Sequence, residues 1–204
     1  MRHLLKTGLF FACVIHFNVW ASDTGFEAAH SAYEGAVAGT ISPDKALEAV
    51  DLFLKEHPED PVGLAMRGSV KTMLARTAWL PWQKLGYVNE GIELMDKAVA
   101  NAALAKSWDG RDPKIVIWMI SGTTNAKLPK MFNRRAFAQR DFQNVLEAPV
   151  FQRMAAGDRA SVYAWLAVIA NDQSNPKADQ LLHLAQSTDA AIADKIWDKR
   201  WEKN

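Results

Sequence analysis

Ser42-Pro43-Asp44, His57-Pro58-Glu59-Asp60-Pro61 and Ala78-Trp79-Leu80-Pro81-Trp82 punctuate the stretch from Ser42 to Ala100, and how they are read decides the fold. A serine followed by proline starts a helix: the hydroxyl satisfies an orphan backbone N–H, and proline has none to satisfy. Ala46, Leu47, Val50, Phe53, Leu54 and His57 then recur on one stripe, with Asp44, Glu48, Asp51 and Glu56 facing away. Pro58 drives the preceding residue out of the α region and ends the helix. Asp60-Pro61 restarts it by the same device, and Val62, Ala65, Met66, Val70, Met73 and Leu74 form the next stripe. Beyond the tryptophan corner, Leu85, Val88, Ile92, Met95, Val99 and Ala102 keep a helical beat. Gly68 and Gly91 fall on the buried sides. A mid-helix glycine costs about 1 kcal/mol against alanine, so a close approach of two helices is expected there.

Upstream, Met1 to Lys6 is a short basic start and Thr7 to Val19 is mostly apolar, followed by Trp20-Ala21. This is the pattern of a secretory signal peptide over residues 1–21, too short to span a bilayer comfortably. Export, with a periplasmic address, is the expectation. Cys13, the only cysteine, lies inside that leader, so residues 22–204 carry no disulfide, thiolate ligand or thiol nucleophile. Removing Arg2 and Lys6 leaves 22 basic residues against 23 acidic. Such a balance gives no whole-chain attraction to nucleic acid.

Downstream the same grammar repeats less strictly. Gly25 to Val37 has helical spacing, and Asp112-Pro113 starts a helix expected to reach about Asn125. Pro129 opens a further one, Asp158 and Asn175-Pro176 cap two more, and Asp189 begins an amphipathic last piece. No run alternates with period two. Residues 22–204 therefore read as one all-α domain of about four antiparallel hairpins and a C-terminal helix.

Hairpins in series resemble the tetratricopeptide repeat family. Ala46, Val50, Phe53 and Pro58 fall at the spacing of that family's second helix and terminator. Leu64 and Gly68 match a following first helix, and Gly91, Met95 and Ala98 its second. From Ala46 to Gly91 is 45 residues, against the family period of about 34. The surplus of about 11 residues falls around Ala75 to Leu85 and lengthens the two helices of that pair. The resemblance implies a short stacked solenoid whose first helices line a concave wall, and a role in docking other proteins.

Catalytic and metal signatures are absent from the sequence: His30, His57 and His183 lack ligand spacing, and no phosphate loop, dinucleotide fingerprint or nucleophile elbow occurs. No cofactor is expected. Charge, by contrast, is unmixed. Residues 61–89 and 127–140 hold basic residues and no acidic one, whereas 44–60 are acidic. This segregation predicts a basic groove around Arg67, Lys71 and Arg76, flanked by Trp79 and Trp82, with Arg134 and Arg135 adding charge. Ser121-Gly122-Thr123-Thr124-Asn125 reads as a polar helix end that presents the Asn125 amide. The expected function is a non-catalytic adaptor that holds an acidic protein or peptide segment. The alternative is a binder of anionic lipid or polysaccharide, through Lys127 to Arg140 with Phe132 and Phe137, or through Trp197 and Trp201; membrane association is then peripheral, not integral.

Overall fold

The structure, a computed structural model, describes residues 24–199. The leader expected over residues 1–21 and Trp201 lie outside the described residues. Eight α-helices follow one another: α1 (Thr24–Ala38), α2 (Pro43–Glu56), α3 (Pro61–Thr77), α4 (Pro81–Ala100), α5 (Pro113–Lys127), α6 (Arg135–Glu147), α7 (Ala156–Asp172) and α8 (Lys177–Lys199). Three short 3-10 turns connect them, and no strand occurs among the described residues.

The expected starts are built as the sequence dictates. Ser42 Oγ accepts from Lys45 N at 3.5 Å, Asp60 Oδ1 from Gly63 N at 2.8 Å and Asp112 Oδ1 from Lys114 N at 3.0 Å. Within α8, Asp189 has extended backbone (φ −158, ψ 99), and its side chain accepts from Ile192 N at 3.1 Å. The last piece therefore begins at Asp189, as expected. Two starts differ. The residues after Pro129 form the 3-10 turn Lys130–Phe132, left-handed Asn133 follows, and α6 begins only at Arg135. Asp158 lies in the first turn of α7 but does not cap it; Ala155 holds that place.

Consecutive helices pack in pairs, α1 on α2, α3 on α4, α5 on α6 and α7 on α8. The odd-numbered helices also touch in sequence, α1 to α3 to α5 to α7. One apolar cluster joins α1, α2, α3 and the start of α5 around Phe26, Phe53 and Met66, and a second joins α5 to α8 around Phe142 and Phe151. Helix α5 contributes to both clusters. At the first cluster's edge Phe26, Phe53, His57 and Trp108 lie ring against ring. Trp108 Nε1 donates to Asp60 Oδ2 at 2.9 Å, so one carboxylate both caps α3 and secures the α4–α5 connection.

The glycines on α3 and α4 meet back to back. A Cβ on Gly68 would lie 2.7 Å from the Gly91 carbonyl oxygen, and one on Gly91 would lie 2.6 Å from that of Gly68. Backbone cannot yield as a side-chain tip can, so this contact excludes even a methyl group. Gly86, in the same helix, has nothing within 4 Å of its would-be Cβ. Gly91→Ala should lower stability by about 1–3 kcal/mol through overpacking, whereas Gly86→Ala should raise it by up to about 1 kcal/mol through helix propensity. Urea unfolding of both variants checks the pair, and equal effects of the two would rule out the close approach.

Candidate functional site

An open groove of about 2020 Å³ runs across the face made by α1, α3, α5 and α7, with the start of α4 and the second half of α8 at its margins. Pockets for small molecules are typically about 300–1,000 Å³, and this groove exceeds that range. Its apolar lining includes Ile41, Met73, Val88, Met119, Ile120, Leu128, Met131, Met154, Trp165 and Ile196. Four methionines in one lining suit an adaptable contact surface, because the thioether chain repacks at little cost.

A polar rung crosses the groove where the odd helices touch. Tyr33 Oη on α1 donates to Ser69 Oγ on α3 at 3.4 Å, and Thr124 Oγ1 on α5 donates to the same oxygen at 2.9 Å. Burial pushes the Tyr33 hydroxyl far above its ordinary value, with the Ser69 bond opposing and Glu34 adding to the rise, so it remains a neutral donor. A second buried chain lies behind α5. Asn125 Nδ2 donates to Ser121 Oγ at 3.1 Å, Ser121 Oγ to Asp141 Oδ2 at 2.6 Å, and Arg134 Nε to Asn125 Oδ1 at 2.9 Å. Arg134 Nη1 continues to Asp96 at 3.1 Å, and Arg140 closes on Asp141 at 2.7 Å. Burial raises the Asp141 carboxyl above its ordinary value, and the bonds from Ser121 and Arg140 partly offset that rise.

These networks decide the fate of the residues expected to bind. Arg67 and Lys71 do not reach the groove. Arg67 pairs with Asp51 at 2.8 Å and Lys71 with Glu90 at 2.9 Å, on the opposite side of α3. Trp79 and Trp82 are exposed but are not among the lining residues. The stretch 121–125 is not a polar helix end: α5 runs on to Lys127, and Ser121, Thr124 and Asn125 are buried on its inner side. Asn125 and Arg134 are both committed to internal bonds. Arg135 does line the groove, tied to Asp172 at 3.0 Å and to the Ala126 carbonyl. Arg76 lines it and is exposed. Phe137, from the second reading, lies under Arg134, 3.7 Å from its ring centre to the guanidinium.

Sequence reasoning missed Lys84, Arg153 and Lys195, which join Arg76 in the lining and make no ion pair with another described residue. Glu34, Asp112 and Asp158 are the carboxylates among the lining residues. Asp112 is occupied as a helix cap, Glu34 lies 3.6 Å from His30, and Asp158 makes no ion pair with another described residue. Unspent charge in the groove is therefore mainly positive. Among the described residues no group of three or more His, Cys, Asp or Glu could hold a metal ion, and no helix is long and apolar enough to cross a membrane. Comparison of the chain with protein-family models, curated proteins and solved structures returns no match.

His30, at the groove's end, accepts from Arg111 Nη2 at 2.8 Å through Nε2, which requires the neutral ring. Burial, then the Arg111 charge, lowers its pKa below the ordinary 6.5, with Glu34 and Asp109 opposing. The unfolded chain therefore takes up this proton first as the pH falls. Stability is full above pH 6.5 and declines below it until the folded-state pKa is passed. His30→Gln should flatten that decline in urea titrations at stepped pH. A second contrast separates scaffold from surface: Asn125→Ala should cost about 2 kcal/mol, since it strands buried partners, and Arg76→Ala within about 0.5 kcal/mol. Comparable losses in thermal unfolding would contradict the distinction.

Proposed function

We propose that the protein is an exported, non-catalytic helical-repeat adaptor whose groove docks an acidic, amphipathic segment of a partner protein. On this reading the four hairpins stack as a short tetratricopeptide-like solenoid, and the row α1, α3, α5, α7 is its inner wall. The greater length of α3 and α4, 17 and 20 residues against 15 and 14 in α1 and α2, supports the expanded second unit. One observation carries the functional reading: a groove too large for a metabolite, lined by methionines, with Arg76, Lys84, Arg153 and Lys195 unspent on its walls. A partner helix would lay apolar anchors on Met73, Met119 and Met154 and set carboxylates toward the cations.

The titratable groups with displaced pKa values support a scaffold over an enzyme. Tyr33 and Asp141 each serve a bond between helices, and His30 one from α1 to the α4–α5 connection. Asp109 would be raised by burial, but the bonds and charge of Arg111 outweigh this and lower it. Such displaced values mark structural ion pairs as often as chemistry.

A photo-crosslinker at Met119 should capture a defined envelope partner, and one at Leu52, exposed on α2, should not. Arg76→Glu with Arg153→Glu should reduce capture at Met119 by about tenfold or more while leaving thermal unfolding unchanged. Equal capture from both positions, or indifference to charge reversal, would count against the groove.

A further inference from the structure

We propose that the corner between α3 and α4 docks the protein on an anionic lipid surface, through two tryptophans outside the groove and cations at its margin. Trp79 is 90% exposed and Trp82 67%. Leu85 and Met131 are also exposed, at 45% and 77%. The turn that carries Met131 is held beside this corner, because Leu128 and Phe132 pack with Ala75 and Val88. Much of the large apolar surface the chain leaves in water is thus gathered at one edge.

The charge of that edge is mainly positive. Arg76, Lys84, Lys127 and Lys130 are all exposed, and residues 61–89 and 127–140 contain no carboxylate. Asp172 lies 3.8 Å from Lys130, and Lys127 stands over the Trp165 ring. Cations ringing exposed indoles are complementary to an anionic bilayer interface: the rings sit at the headgroup boundary, their N–H groups stay hydrated, and the cations meet lipid phosphates.

A lipid surface fits this corner better than a protein does. Tryptophans that anchor protein contacts work inside pockets that exclude water around them. Here Trp79 lies in the connection and Trp82 in the first turn of α4, neither lines the groove, and Trp79 is almost wholly in solvent. A soft, laterally mobile surface accommodates such protrusions without a matching cavity.

Full-length protein should sediment with vesicles of phosphatidylcholine containing phosphatidylglycerol and not with phosphatidylcholine alone, and added salt should weaken binding. The double variant Trp79→Ala, Trp82→Ala should lose about tenfold or more of that affinity with unchanged circular dichroism, while Trp79→Phe, Trp82→Phe should retain most of it. Crosslinking at Met119 should persist in both variants, so failure here and failure of the groove reading are distinguishable. Absence of wild-type binding to the anionic vesicles at low salt overturns the proposal, as does unaltered binding by the alanine variant. Loss of self-association in that variant, without any vesicle binding by the wild type, would make the corner a contact between copies and overturn it equally.

Discussion

The back-to-back contact of Gly68 and Gly91 sets the rotation of α3, and the lining of the groove depends on that rotation. With about 100° per residue around a helix, a glycine that must face α4 leaves no choice for its neighbours. Ser69, Met73 and Arg76 turn to the groove. Arg67 and Lys71 lie roughly half a turn away and meet Asp51 and Glu90 instead. A shift at this contact would be passed on to α1, α2 and α5, which α3 also touches. One backbone contact thus determines which cations are free and which are spent.

Charge illustrates the difference between a pattern along the chain and one in space. The acidic run 44–60 and the basic run 61–89 look segregated in sequence, yet α2 and α3 lie side by side and Asp51 neutralises Arg67 across the gap. Arg134 and Arg135, adjacent in sequence, part company as well: one is buried against Asp96 and Asn125, the other bridges to Asp172. Half-exposed pairs of this kind contribute little stability, about 0–1 kcal/mol each. They consume charge that would otherwise attract ligand. Arg76, Lys84, Arg153 and Lys195 stand apart because no carboxylate among the described residues neutralises them, not because their runs are rich in base.

Helix starts were legible wherever a short polar residue precedes proline, since cap and ring act locally; Ser42, Asp60 and Asp112 needed no tertiary information. Asp189 was legible for the same reason, though no proline follows it. Other boundaries were not local. Left-handed Asn133 delays α6, and nothing around Pro129 announces that. The far half of the groove was hidden because α7 is buried from Ala164 to Ala170 on every side, so its apolar positions show no preferred face. Arg153 and Lys195 could not be placed on the groove without knowing which way α7 and α8 turn. The run Ser121 to Asn125 misled through composition. Its polar side chains resemble a solvated helix end, but at spacings of three and four they share one side, where Ser69, Asp141 and Arg134 bond them.

Those buried polar groups also explain how a wide groove stays open beside two apolar clusters. Apolar contacts are non-directional, and a row of helices joined only by them could slide until the groove closed over its own methionines. A hydrogen bond is lost within a few tenths of an ångström, and a buried group left without its partner costs about 1–3 kcal/mol. Tyr33, Ser69 and Thr124 impose that requirement across α1, α3 and α5, each from a buried position at the meeting of the odd helices. Asp96, Arg134, Asn125, Ser121 and Asp141 do the same from α4 through α5 to α6. Closing the groove would strand both sets at once. The spacing of its walls is therefore set by polar bonds beneath them and not by apolar packing alone.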